Sequence, residues 1–127
     1  MENQKNNELP ERVEMIPYQE VENKIVILRN VPVIADADVA SLFEVETKRV
    51  NEAVRNNPDK FPIDYVFLLT DSELRDLRSK ISTTKVSPKS RTATKAFTEK
   101  GLYMLATVLK SDRATAATFA IIETSAL

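Results

Sequence analysis

Two neighbouring stretches of apolar residues with helical spacing lie in the middle of the chain, between Asp36 and Asn57. Their apolar positions are Val39, Ala40, Phe43 and Val45 in the first stretch, and Val50, Ala53 and Val54 in the second. This spacing lets each of two short helices bury one stripe of side chains while a tight turn joins them. The pattern therefore predicts a helix-turn-helix unit, in which Ala40 is small enough for the second helix to cross close by.

The polar residues of the second helix form a defined outward face. With Val50 taken as the buried direction and 3.6 residues per turn, the outward positions can be read from the sequence. They carry side chain types that hydrogen-bond to base edges in the major groove of DNA. The predicted base-reading residues are Thr47, Lys48, Asn51, Glu52 and Arg55. A plainer interpretation remains open, in which both helices simply pack within a small bundle, and Glu46 and Glu52 are ion-pair partners of Arg49 and Arg55.

Short β-branched runs and helix-capping residues surround this unit. Runs at 24–29 and 31–35, separated by Asn30, predict a hairpin or two short strands, and runs at 65–69 and 93–97 predict two more. Thr70, Thr98 and Ser111 or Asp112 are typical capping residues and predict the starts of three further helices. We therefore expect an α+β fold, with short strands bracketing the helix-turn-helix-like unit and further helices at the C-terminal end.

The composition restricts the chemistry of the protein. The 127 residues suit one domain and include no His, no Cys and a single glycine. Common zinc sites, His- or Cys-based catalytic pairs and Gly-rich phosphate loops are thereby excluded. The carboxylates form no recognisable metal or nuclease motif, so we expect a non-enzymatic protein with no metal and no cofactor. Without an apolar run of membrane-spanning length, a signal peptide or cysteines, a cytoplasmic protein without membrane partners is the default expectation.

The charge is distributed unevenly, although the net charge is only -1. Residues 1–23 carry six acidic and two basic side chains and are broken by two prolines, which predicts a mostly disordered acidic segment. Residues 24–127, read as one folded domain, carry 16 basic and 13 acidic residues. No acidic residue lies between Leu77 and Thr98, where six cations occur. The predicted phosphate-binding residues are Arg49, Lys80, Lys85, Lys89, Arg91 and Lys95, although the 82–95 segment is equally well interpreted as a solvated linker.

Several runs resemble the phage ORF-six N-terminal domain family, a relative of the KilA-N domain. The runs are 38–56, 61–70, 77–79 and 96–105, so that the likeness covers roughly Ile25 to Ile122. The Val45-Glu-Thr-Lys48 and Ala96-Phe-Thr-Glu99 pieces are its most specific parts. The family usually has glycine before that valine, where this chain has Glu44. The turn therefore either holds a non-glycine residue in the left-handed conformation, at a cost on the order of 1 kcal/mol, or takes another form.

The resemblance implies a DNA-binding domain of a phage or prophage transcriptional regulator or antirepressor, with double-stranded DNA as its partner. The second helix would enter the major groove, with Lys48 or Arg55 on guanine, Asn51 on adenine and Glu52 on cytosine. The competing hypothesis is a protein-interaction module that acts on a repressor without binding DNA. The near-neutral net charge and the acidic N-terminal segment support this alternative. Symmetric operators are usual for such readers, so a homodimer through the C-terminal helix, with Phe119 or Ile122 exposed, is a further hypothesis.

Overall fold

The computed structural model describes residues 18–80 and 94–123. It has an α+β fold, as predicted, in which helices pack on both faces of a four-stranded antiparallel sheet. In chain order the elements are α1 (Tyr18–Glu22), β1 (Val26–Leu28), β2 (Val31–Ala35), α2 (Asp36–Phe43), α3 (Thr47–Asn56), a short 3-10 helix (Pro58–Lys60), β3 (Val66–Leu68), α4 (Asp71–Lys80), β4 (Lys95–Phe97), α5 (Glu99–Leu109) and α6 (Asp112–Ile122). No helix within the described residues is both long and apolar enough to span a membrane.

The sheet has the strand order β1-β2-β4-β3, so β4 lies between two strands that precede it in the chain. The β1–β2 hairpin turns at Arg29 and Asn30, whose φ angles of 55° and 64° are those that tight two-residue hairpins favour. In the centre of the sheet, Phe97 of β4 is opposite Ile34 of β2 on one side and Val66 of β3 on the other. This order brings the start of β4 close to the helices that follow β2.

Alternate residues of each strand supply two separate apolar clusters, because successive side chains point to opposite faces of a sheet. On one face, Ile34, Val66 and Phe97 pack into a core shared with α2, α3, α5 and α6. On the other face, Val33, Ala35, Phe67 and Ala96 pack with Leu77 of α4. The sheet is therefore covered on both sides, and the α2–α3 unit is supported by the larger of the two clusters.

The N-terminal boundary differs from the prediction, which placed the folded part after Asn23. Residues Tyr18–Glu22 form α1, and Val21 is fully buried in the larger cluster. Lys24 then lies 3.6 Å from Asp38, measured from Nζ to Oδ1. The prediction missed α1 because the composition of residues 1–23 is acidic overall. Val21 is the buried apolar side chain that packs this short helix against the larger cluster. Folded structure is thus present from Tyr18 onwards, and residues 1–17 lie outside the described residues.

The predicted helix starts are confirmed by their capping bonds. Thr70 and Glu73 form a reciprocal capping box at α4, Thr98 Oγ1 accepts from Gly101 N at the start of α5, and Ser111 Oγ accepts from Ala114 N at α6. Residues at helical spacing along α5 and α6 are buried as well: Leu102, Leu105, Leu109, Ala114, Ala117, Thr118 and Ile121. These elements could be predicted because caps and apolar periodicity are local signals.

Gly101 lies where α5 begins against the backbone that precedes β3. A Cβ at this position would lie 2.0 Å from the carbonyl oxygen of Tyr65. The same oxygen accepts a hydrogen bond from Thr98 N at 3.0 Å and lies 3.1 Å from Thr98 Oγ1, whose single hydroxyl hydrogen has its shorter contact with Asp64 O at 2.8 Å. The single glycine of the chain therefore allows a close approach between α5 and β3 that no other residue permits.

Candidate nucleic-acid interface

A three-residue turn joins α2 to α3. Glu44 has φ 59° and ψ 45°, so the position where the resembling family has glycine holds a left-handed glutamate. The turn is closed by hydrogen bonds from Glu44 N to Ser41 O at 3.2 Å and from Val45 N to Ala40 O at 3.0 Å. Glu46 is extended and precedes the first residue of α3. The first of the two forms expected for this turn is therefore the observed one.

Arg113 of α6 supports this turn from outside the helix pair. Its Nε donates to the carbonyl oxygen of Leu42 at 3.2 Å, and its Nη2 lies 3.5 Å from the Glu44 carboxylate. The first contact satisfies a carbonyl at the C-terminal end of α2, where helices leave carbonyls without partners in the helix. Sequence reasoning missed Arg113 because it lies 71 residues from Leu42 and no motif marks it.

Helix α3 presents the outward face expected from its sequence. Val50 and Ala53 are buried and face α2, α5 and the larger cluster. Lys48, Arg49 and Arg55 are exposed, whereas Thr47, Asn51 and Glu52 are half-buried. No ion pair within the described residues joins Glu52 to Arg55. All five predicted base-reading residues therefore keep at least part of their surface in contact with solvent.

Lys95, the first residue of β4, extends this face beyond the helix pair. Its Nζ donates to Asn51 Oδ1 at 2.9 Å, and its backbone N donates to Asp36 Oδ2 at 3.2 Å. The sheet order explains the contact, because β4 pairs with β2 and α2 follows β2 directly. The sequence predicted Lys95 as one of several loop cations, and its contact with Asn51 was not foreseen.

Burial and neighbouring charges shift the pKa values of Asp36 and Lys95. Burial raises the pKa of Asp36, which is only 5% exposed, although hydrogen bonds from the Lys95 and Ala37 backbone oppose that rise. Burial also lowers the pKa of Lys95; Asp36 opposes this shift and the Arg55 guanidinium adds to it. Lys95 and Arg55 thus place two positive charges within interaction range on one surface. An anionic or acceptor-rich ligand would relieve the repulsion between them.

Three of the predicted phosphate-binding residues, Lys85, Lys89 and Arg91, lie outside the described residues. So does the side chain of Lys80, which ends α4. Arg49 is exposed on α3, next to the predicted base-reading residues. No group of three or more acidic side chains within the described residues is placed to hold a metal ion.

Arg29 at the β1–β2 turn holds the start of α4 against the sheet. Its guanidinium donates to both carboxylate oxygens of Glu73 at 2.8 and 3.2 Å, and to the Leu68 carbonyl oxygen at 3.1 Å. It also lies over the Phe67 ring, 3.9 Å from the ring centroid. The hydrogen bonds from Arg29, together with those from Thr70, lower the pKa of Glu73 to about 2. The helix that leads into the basic segment is therefore fixed at its first turn.

Comparison with known proteins places these features in one family. A family model described as ORF6N domain matches residues 23–108, more than half of the chain. The match includes both helices of the helix-turn-helix unit and Lys95, whereas Arg113 lies beyond it. Searches of curated proteins and of solved structures gave no match.

Proposed function

The chain belongs to the ORF6N domain family of phage-type regulatory domains, and from this premise we propose that it binds double-stranded DNA sequence-specifically, as part of a phage transcriptional regulator or antirepressor. The observation that carries the proposal is the outward ridge formed by Lys48, Asn51 and Arg55 of α3. Its side chains have the donors and acceptors that major-groove readers use, and a buried stripe on the opposite side of the helix holds them outward.

In the proposed mechanism, α3 lies in the major groove and its side chains reach base edges. Lys48 and Arg55 donate to guanine acceptors, and Glu52 accepts from the amino group of cytosine. Each good bidentate contact contributes about 1–3 kcal/mol of discrimination between bases. Arg49 and the cations of the 80–95 segment then contact phosphates, which position the domain and make its affinity depend on salt.

The support beneath α3 favours this mechanism, because a reader that is already rigid loses little conformational entropy on binding. Three parts of the molecule hold it. Arg113 fixes the turn before α3, α5 packs beneath it, and Asn57 ends it through a 2.8 Å hydrogen bond from Nδ2 to Ala53 O. The ridge is thus supported at the turn before α3, beneath the helix and at its C-terminal end.

Fluorescence anisotropy with random duplex DNA across a salt series tests the proposal. The wild-type chain should bind at low salt, and selection from a randomised duplex library should yield a preferred site that it binds more tightly. Replacing Lys48, Asn51 and Arg55 with alanine should abolish the preference for that site. A matched control removes two exposed cations and one exposed amide side chain from positions elsewhere, namely Lys100, Arg75 and Gln19. This control should leave the preference unchanged.

Absence of duplex binding at low salt would contradict the proposal. The measurement should be repeated with a chain that begins at Tyr18, since removing residues 18–22 as well would delete the buried Val21. If neither form binds, the competing interaction module that acts on a repressor becomes the better explanation. Its support is the net charge of -1 and the acidic residues that precede α1.

A further inference from the structure

The contact between Asn51 and Lys95 determines which end of the Asn51 amide faces a ligand. An ammonium group only donates hydrogen bonds, so the atom 2.9 Å from Lys95 Nζ is the amide oxygen, Oδ1. The nitrogen, Nδ2, then points away from that contact. No hydrogen bond from Nδ2 is made within residues 18–80 and 94–123. Asn51 is therefore held with its Nδ2 donor directed away from Lys95 and with one of the two acceptor positions of Oδ1 engaged.

This arrangement changes the base that Asn51 suits. An asparagine with both ends available reads adenine, accepting from the N6 amino group and donating to N7. Next to Lys95, an adenine N6 group that donates to the remaining lone pair of Oδ1 would bring its partly positive hydrogens close to the ammonium, which is unfavourable. The ammonium keeps two further N–H donors after its bond to Asn51. The pair thus offers two neighbouring donors, and the guanine edge offers two neighbouring acceptors, O6 and N7.

We propose that Asn51 and Lys95 act together as one reader of guanine, in place of the adenine expected for Asn51 alone and of the phosphate contact expected for Lys95. The inference rests on the proposed function, in which α3 is the recognition helix. Lys95 suits this role because its backbone is anchored to Asp36 and its strand is paired on both sides. Base preference is then determined in part by a residue of the sheet, 44 positions from its partner on α3.

The charge around the pair favours the same ligand. Burial has removed part of the water around the Lys95 ammonium, and the nearby Arg55 guanidinium adds positive potential. Both effects make a base edge with two acceptors more favourable there than one with a donor. Asp36 is the acidic group facing Lys95, and it is engaged by the backbone N of the same residue.

Selection of duplex sites from a randomised library, carried out on the full chain and its variants, tests the proposal. Asn51→Ala identifies the base pair that Asn51 and Lys95 read, because this variant loses its sequence preference at that base pair only. The wild type should select guanine there, and Lys95→Met should lower the preference for guanine over adenine by about 5-fold or more. Lys95→Arg, which keeps the donors and the charge, should retain guanine. Lys100→Met, a control that removes one exposed cation from α5, should retain it as well.

Two results would overturn the inference while leaving the proposed function intact. One is a wild-type preference for adenine at the Asn51-dependent position, and the other is an unchanged guanine preference in Lys95→Met. If Lys95→Met does not fold, Asn51→Asp serves in its place, because it keeps an acceptor for Lys95, removes the Nδ2 donor and adds a negative charge that repels the guanine acceptors. Retained guanine preference in that variant would equally refute the pair. A wild-type chain that selects no site would refute the proposed function, and this inference with it.

Discussion

Replacement of Gly101 with alanine separates the effect of tertiary contact from that of helix propensity. Gly101 lies in the first turn of α5, and its φ angle is not positive, so its backbone conformation is open to any residue. Judged by propensity alone, alanine would stabilise the helix by about 1 kcal/mol. The structure predicts the opposite sign, because the new Cβ would lie 2.0 Å from Tyr65 O and 2.9 Å from Tyr65 C.

The magnitude follows from what has to move. The obstructing atoms belong to the backbone, so no side chain rotation relieves the clash, and overpacking of this kind costs about 1–3 kcal/mol or more. Displacing the Tyr65 carbonyl also weakens the hydrogen bond it accepts from Thr98 N, worth about 0.5–1.5 kcal/mol. After the gain in propensity is subtracted, we expect Gly101→Ala to lower the free energy of unfolding by about 0.5–3.5 kcal/mol.

Urea unfolding followed by far-UV circular dichroism measures this loss directly. The matched control is Lys100→Ala, an exposed position beside Gly101 in the same helical turn, which should change the free energy by no more than about 0.5 kcal/mol. A Gly101→Ala protein as stable as the wild type, or more stable, would refute the close approach of α5 to the Tyr65 backbone.

Three further outcomes are expected. Arg113→Ala should destabilise the chain by about 1–2 kcal/mol in urea unfolding, because the Leu42 carbonyl loses a charged donor, and it should weaken binding to a selected site more than to random duplex; equal weakening at both would contradict its role at the turn. Glu73 has a pKa of about 2, against an ordinary value of 4.5, so its contact with Arg29 stabilises the fold above pH 4.5 and is lost as the pH falls from 4.5 towards 2. Glu73→Gln should lack that part of the pH dependence in unfolding midpoints, and parallel acid curves for the two proteins would refute it. Arg49→Ala should flatten the log–log salt dependence of duplex binding by about one unit for every sequence; an unchanged slope would remove Arg49 from the phosphate contacts.

Much of the fold could be predicted from local signals along the chain. Thr98 and Ser111 mark helix starts because their hydroxyls cap the first turn within three residues. The orientation of α3 could be predicted from Val50 and Ala53, since the apolar stripe of an amphipathic helix faces the core. Local composition gave the wrong prediction at residues 18–22, where an acidic segment was expected to be disordered. These residues form α1, and its Val21 side chain is buried.

By itself, the sequence determined the α+β class, the two central helices and the side chains that α3 turns outward, because periodicity and capping act over a few residues. Only the tertiary structure decided what surrounds that face. The placement of Lys95 on Asn51, of Arg113 on the α2–α3 turn and of Gly101 against Tyr65 depends on elements far apart in the chain. The physical reason is that these contacts follow from the strand order, which places β4 between β2 and β3, and from helix packing, neither of which leaves a periodic trace in the sequence.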